Sequence, residues 1–290
     1  ENFNNQARWR KITLGVEDLG LNIGNLSASP ARAYGGLVVL NDVRSDVDAR
    51  LANSLANADE VSVVALENAS IQAFAESSIE ASGGSAFKEL GEGAVFAANG
   101  LIATNIVQAQ ADALLADSTV TTTQTGTTGD VSVSAMNTSG VDATINAAMV
   151  SGEKAFGAVV ALNTLGWEAS NVLLGALEAI IGDPVAADAL GLNVGAKATA
   201  KILDSVLQAA GGVAALADNA ARLNATVSNA ASSAASALFD AGGQAAGGVI
   251  ASNKVSSGAQ ALIEQGDSAA NNQLTAGGDV AVAAADNAEL

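Results

Sequence analysis

Gly129-Asp-Val-Ser-Val-Ser-Ala-Met-Asn-Thr-Ser-Gly-Val-Asp-Ala-Thr-Ile-Asn-Ala-Ala-Met-Val150 decides how this chain is read. Val131, Val133 and Ala135 alternate with Ser132 and Ser134. After a polar break at Asn137–Gly140, Val141, Ala143, Ile145, Ala147 and Met149 alternate with Asp142, Thr144 and Asn146. Successive side chains of a strand point to opposite faces. Each run therefore reads as a strand with one apolar and one polar face.

Versions of this unit recur. A motif of the form Gly-x-Val-Val-x-x-Asn appears as Gly36-Leu-Val-Val-Leu-Asn41, Gly93-Ala-Val-Phe-Ala-Ala-Asn99, Gly157-Ala-Val-Val-Ala-Leu-Asn163 and Gly248-Val-Ile-Ala-Ser-Asn253. A second motif follows at Glu60–Ala69, Asp130–Asn137, Gly212–Ala220 and Asp279–Ala288. A third strand-like run follows at Ser70–Ala73, Gly140–Ile145 and Arg222–Val227. Kept order is the mark of a repeat array. The expected fold is mainly β, an elongated β-solenoid-like array. Its parts are an N-terminal segment at 1–35, β repeats at 36–165, a helical region at 166–212 and β repeats at 213–290.

The helical insert is expected at about 184–210. Asp183-Pro184 is a favourable helix start. Ile202, Leu203, Val206, Leu207 and Ala210 follow helical spacing, and Gly211-Gly212 would stop the helix. The run 166–181 fits strand or helix equally.

Composition narrows the function. Hydrophobic residues are 49% of the 290, but aromatics only 3%. A core of Ala, Val, Leu and Ile suits thin repeated layers. The net charge of −18 repels phosphate backbones, so no nucleic-acid partner is expected. There is neither cysteine nor histidine, which removes disulfides, imidazole bases and the usual zinc sites. No apolar run is long enough for a helical membrane span. The chain starts at Glu1 without Met, which reads as processing or excision from something longer.

The order of these motifs resembles very long bacterial cell-surface and secreted repeat proteins, adhesin-like or filament-forming, over roughly 36–290. That resemblance implies an extracellular or cell-surface location and a structural or adhesive role. The Gly-Gly-x-Gly-x-Asp nonapeptide of calcium-binding β-rolls is absent.

Candidate sites are few. Asn41, Asn99, Asn163 and Asn253 are expected at strand ends, either as a ladder of side-chain amides or as caps of their own turns. Asp130, Asp267 and Asp279 each follow a glycine and are the candidates for Ca²⁺; a simple turn is the plainer reading. No other cofactor is expected. The carboxylate pairs Asp59/Glu60, Glu89/Glu92 and Asp183/Asp188 lack a basic partner, so catalysis is not expected. Thr119–Thr128 reads as an exposed edge rather than a binding face. Trp9 and Trp167 fit an interface or a core.

Assembly is the expected role. Arg8, Trp9, Arg10 and Lys11 form a basic contact arm in an acidic chain. Val280 and Val282 lie in a repeat unit whose continuation is not seen, which leaves an apolar edge. The expected partner is a second copy, head to tail. The alternative is a carbohydrate-binding or carbohydrate-processing β-helix, with surface carbohydrate as partner.

Overall fold

A computed structural model describes residues 31–82, 95–123, 129–166, 195–233, 243–266 and 273–290. The protein is mainly β, and among the described residues there is no helix. Every paired strand is parallel.

The chain traces one circuit repeatedly. In the first turn β1 (Ala31–Ala52) forms a long wall, β2 (Leu55–Ala58) a corner, and β3 (Val61–Glu67) and β4 (Ser70–Ala81) the facing walls. The second turn repeats this with β5 (Val95–Ala116), β6 (Thr119–Thr122), β7 (Val131–Asn137) and β8 (Gly140–Ser151). In the third, the long strand is split into β9 (Lys154–Leu165) and β10 (Ala196–Leu203), followed by β11 (Val206–Ala209), β12 (Val213–Asn219) and β13 (Arg222–Ser233). The fourth contains β14 (Gln244–Val255), β15 (Ser257–Glu264), β16 (Leu274–Ala276) and β17 (Val280–Asp286).

Each wall stacks equivalent strands in register. Val61, Val131, Val213 and Val280 form one column. Ile71, Val141 and Leu223 form another. Period-2 alternation puts Val131, Val133, Val141, Ala143 and Ile145 inside, each at most 2% exposed, whereas Asp142 is exposed. Two large apolar groups fill most of the described interior, with a small third one at Ala81, Val95 and Ala97. One lies between the long wall and β4/β8/β13, around Leu101, Ile145 and Val159. The other lies between the long wall and β3/β7/β12, around Leu115, Val133 and Ile202.

Two expectations need correction. Residues 196–209 are not helical. Ala196, Ala198, Ala200 and Ile202 point inward from β10, fully buried, and β10 pairs with β5 and β15. Asp204, at φ +45°, turns the corner into β11. That turn brings Leu207 inside and leaves apolar residues at 202, 203, 206 and 207, a spacing that copies a helix. Residues 184–194 of the expected insert, and 167–181, lie outside the described residues.

The elongated shape also changes. Four turns at roughly 4.8 Å each make a stack only about 14 Å high, whereas the 22 residues of β1 reach about 70 Å if straight. The described residues are therefore broad across the strands and short along the stack.

Candidate functional site

The corner after the long wall is built three times from one dipeptide. Asn53, Asp117 and Asp204 occupy the left-handed region at φ +50°, +47° and +45°. Asn and Asp tolerate that region better than other residues with a Cβ. The serine that follows locks the turn. Ser54, Ser118 and Ser205 Oγ donate to the carbonyls of Ala52, Ala116 and Leu203 at 2.7–2.8 Å. Ser118 Oγ accepts from Ser54 N, and Ser205 Oγ from Ser118 N, both at 3.1 Å. Gln265 Oε1 takes the serine's place in the fourth turn, accepting from Ser205 N at 3.1 Å. The repeated Asn/Asp-Ser pair was the sequence signal for this corner.

A second column crosses the interior of the long wall. Asn41 Nδ2 donates to Asn105 Oδ1 at 2.7 Å, Asn105 Nδ2 to Asn163 Oδ1 at 2.7 Å, and Asn163 Nδ2 to Asn253 Oδ1 at 2.8 Å. Asn105 and Asn163 are fully buried. Among the four expected asparagines, Asn99 stands apart. It pairs in register with Gly35 and Gly157, and its Oδ1 accepts from Ser77 Oγ at 2.8 Å. All of these asparagines lie within strands rather than in turns. The glycines beside them face inward for space: a Cβ on Gly35 would strike Ile79, and one on Gly157 would strike Met149.

A third column ends the facing wall. Glu67, Asn137, Asn219 and Asp286 share one register position. Glu67 accepts from Ser45 Oγ at 2.6 Å and from Ala69 N at 2.7 Å. Asn137 Nδ2 donates to the Ala109 carbonyl, and Asn137 Oδ1 accepts from Ser139 N. Asp286 accepts from Asn219 Nδ2 at 2.8 Å and from Ser257 Oγ at 2.9 Å.

The remaining candidates are placed as follows. Asp130 Oδ1 accepts from Gly212 N at 2.6 Å, so this carboxylate braces a turn. Asp279 is exposed, its carbonyl accepting from Val213 N. Asp267, Arg8, Trp9, Arg10 and Lys11 lie outside the described residues. Val280 and Val282, whose register partners point inward, are 52% and 51% exposed because β17 is an outer strand. Thr122 Oγ1 donates to the Gly129 carbonyl and accepts from Ala210 N, a role inside the corner.

Two outer features were not read from the sequence. Tyr34, Phe96 and Phe156 form a row with ring centroids 5.6 and 5.7 Å apart. Asp46, Asp48 and Asp112 bring their carboxylates within 4.8 Å of one another, and no other group of three or more acids among the described residues is close enough to share a cation. Arg50 and Lys201 line the shallow depression that contains Asp48 and Asp112. Partial burial, then repulsion from Asp48, Asp112 and Glu67, holds the Asp46 carboxyl above its usual pKa. A raised native pKa means that stability is lost as pH rises through it. Asp46→Asn is therefore expected to raise the melting temperature at pH 7, with the gain vanishing near pH 4. A gain of equal size at both pH values would show that repulsion is not its source.

No protein-family model, curated protein sequence or solved structure matches this chain.

Proposed function

We propose that this chain is a structural, adhesive repeat protein of the cell exterior, a short block of β-solenoid that lengthens by stacking copies end to end. The observation that carries this reading is the common polarity of its ladders. Every amide in the asparagine column donates from one turn to the next. Among the described residues the column begins at Asn41, whose Oδ1 has no donor, and ends at Asn253, whose Nδ2 has no acceptor. The corner column runs the same way from Ser54 toward Gln265. A donor end and an acceptor end of matching register fit a second copy head to tail. Such contacts do not close on themselves, so they generate a filament. Parallel strand edges supply the backbone hydrogen bonds.

Continuing the register sets Val282 over Val63 of the next copy, because Val282, Ala215, Val133 and Val63 form one column. The wall of β4, β8 and β13 has three described strands where the neighbouring facing wall has four. The segment containing Arg8, Trp9, Arg10 and Lys11 is the arm proposed to reach across to the preceding acidic copy. Val282→Lys should abolish association, while the outward Ala281→Lys should leave it within severalfold, measured by sedimentation velocity. Equal association of both variants, or full assembly after deletion of residues 1–14, would refute the respective contact.

The second reading is carbohydrate binding on the outer face. It is favoured by the Tyr34, Phe96 and Phe156 row, whose members are accessible at Tyr34 and Phe156. Tyr34→Ala would then remove retention on insoluble polysaccharide without changing assembly.

A further inference from the structure

Resting on the carbohydrate reading above, we propose that the aromatic row borders a shallow trough that binds an acidic polysaccharide, a chain of uronic acid units laid along the stacking axis. The floor of the trough is a glycine column. Gly36, Gly100, Ala158 and Gly248 pair in register on four successive turns, at outward positions of the long wall. None of these glycines has a positive φ. Packing does not require them either. A Cβ on Gly100 would meet nothing within 4 Å, and one on Gly36 or Gly248 only a carbonyl oxygen at 3.8 or 3.9 Å. Glycine weakens a strand interior, and where it persists without a bend it marks close approach of a ligand to the backbone.

Both sides of the trough suit the C–H faces of sugar rings. On one side Tyr34 and Phe156 stand two residues before Gly36 and Ala158, with Phe96 between them at ring-centroid distances of 5.6 and 5.7 Å. Aromatic rings give a large apolar contact area, and Tyr34 adds a hydroxyl. On the other side runs the column of Val38, Ile102, Val160 and Ile250, whose two end members are 54% and 56% exposed.

Charge selects the acidic class. The chain carries −18, yet residues 31–41 of β1 and 95–111 of β5, with all of β9 and β14, contain no Asp or Glu. Arg32 and Lys154 share the register column of Phe96, one on each side of it, and both are exposed. They are anchored about 10 Å apart, two strand spacings. Neither is paired with an acid among the described residues. Glu153, next to Lys154 in sequence, instead accepts from Val95 N at 3.2 Å. Two cations flanking a ring fit carboxylates on either side of a sugar stacked on Phe96. A single-stranded nucleic acid also seeks rings and cations. The aliphatic side decides against it, because it offers a second base no stacking partner.

Biolayer interferometry of the full chain over immobilised polygalacturonate, alginate, their methyl esters and poly(U) tests this. EDTA in the buffer keeps calcium from bridging the chain's own acids to the polymers. At least one acidic polymer should bind about tenfold or more tightly than its ester, with affinity falling as salt rises. Arg32→Gln combined with Lys154→Gln should remove that preference. Gly100→Val adds bulk to the floor where space is open, and a β-branched residue suits a strand, so the melting temperature should hold or rise. Its affinity for the acidic polymer should nevertheless fall about tenfold or more. Unchanged affinity in Gly100→Val, or a preference retained in the double variant, overturns the proposal, as does tighter binding of poly(U). Equal binding of acid and ester overturns the acidic class and leaves the carbohydrate reading standing. If no polymer binds, the carbohydrate reading itself fails.

Discussion

Ile145→Asp should lower stability by roughly 4 kcal/mol or more, whereas Thr144→Asp, one residue away, should change it by about 0.5 kcal/mol or less. Ile145 is fully buried in β8, between Ala75 and Val227 on the adjacent strands. An aspartate there has neither water nor a cation for its charge. Thr144 faces outward beside Phe74 and Thr226 and is only partly covered. Urea midpoints at pH 7 separate the two. Equal shifts would mean that the inward register of this wall is wrong.

Asn105→Asp should cost about 2–4 kcal/mol at neutral pH, although it changes one atom. A carboxylate still accepts from Asn41 Nδ2, but it has no hydrogen to donate to Asn163 Oδ1. Two acceptors would then face each other at a position with no exposure. Lowering the pH protonates the introduced carboxyl and restores a donor, so part of the loss should return by pH 4.5. Measuring the unfolding midpoint at both pH values checks this. A loss that does not shrink on acidification would show that the amide column is not held by its hydrogen bonds.

The alternation from Val131 to Met149 was legible because both apolar runs face a buried wall, and burial keeps a period-2 pattern clean. The alignment of the long wall was harder. Asn99 and Asn105 are six residues apart, so both point inward, and the glycine-led motif selected Asn99. The structure sets Asn105 over Asn41 because side-chain amides bond only at matching positions. Unequal loops obscure this: neighbouring turns are offset by 64 residues at β1 and β5 but by 90 at β9 and β14. The helix expected over 184–210 failed, where it is described, for a related reason. A two-residue corner at Asp204 and Ser205 interrupts the strand alternation. The ring row and the acidic trio could not be read at all, because each draws members from strands far apart in sequence.

The same features favour stacking. Inner turns bury their columns completely, as at Val133 and Ala215; Val282 on the outer strand β17 is half exposed, whereas Val63 on the opposite outer strand β3 is buried. Each further turn buries what the previous one left open, which is the nearest-neighbour logic of repeat proteins.

Electron cryomicroscopy of the concentrated full chain tests end-to-end stacking most directly. Stacked copies should form filaments with strands perpendicular to the axis and a spacing of about 4.8 Å along it. Isolated particles, closed rings, or filaments in which copies meet side by side through their outer faces would contradict it.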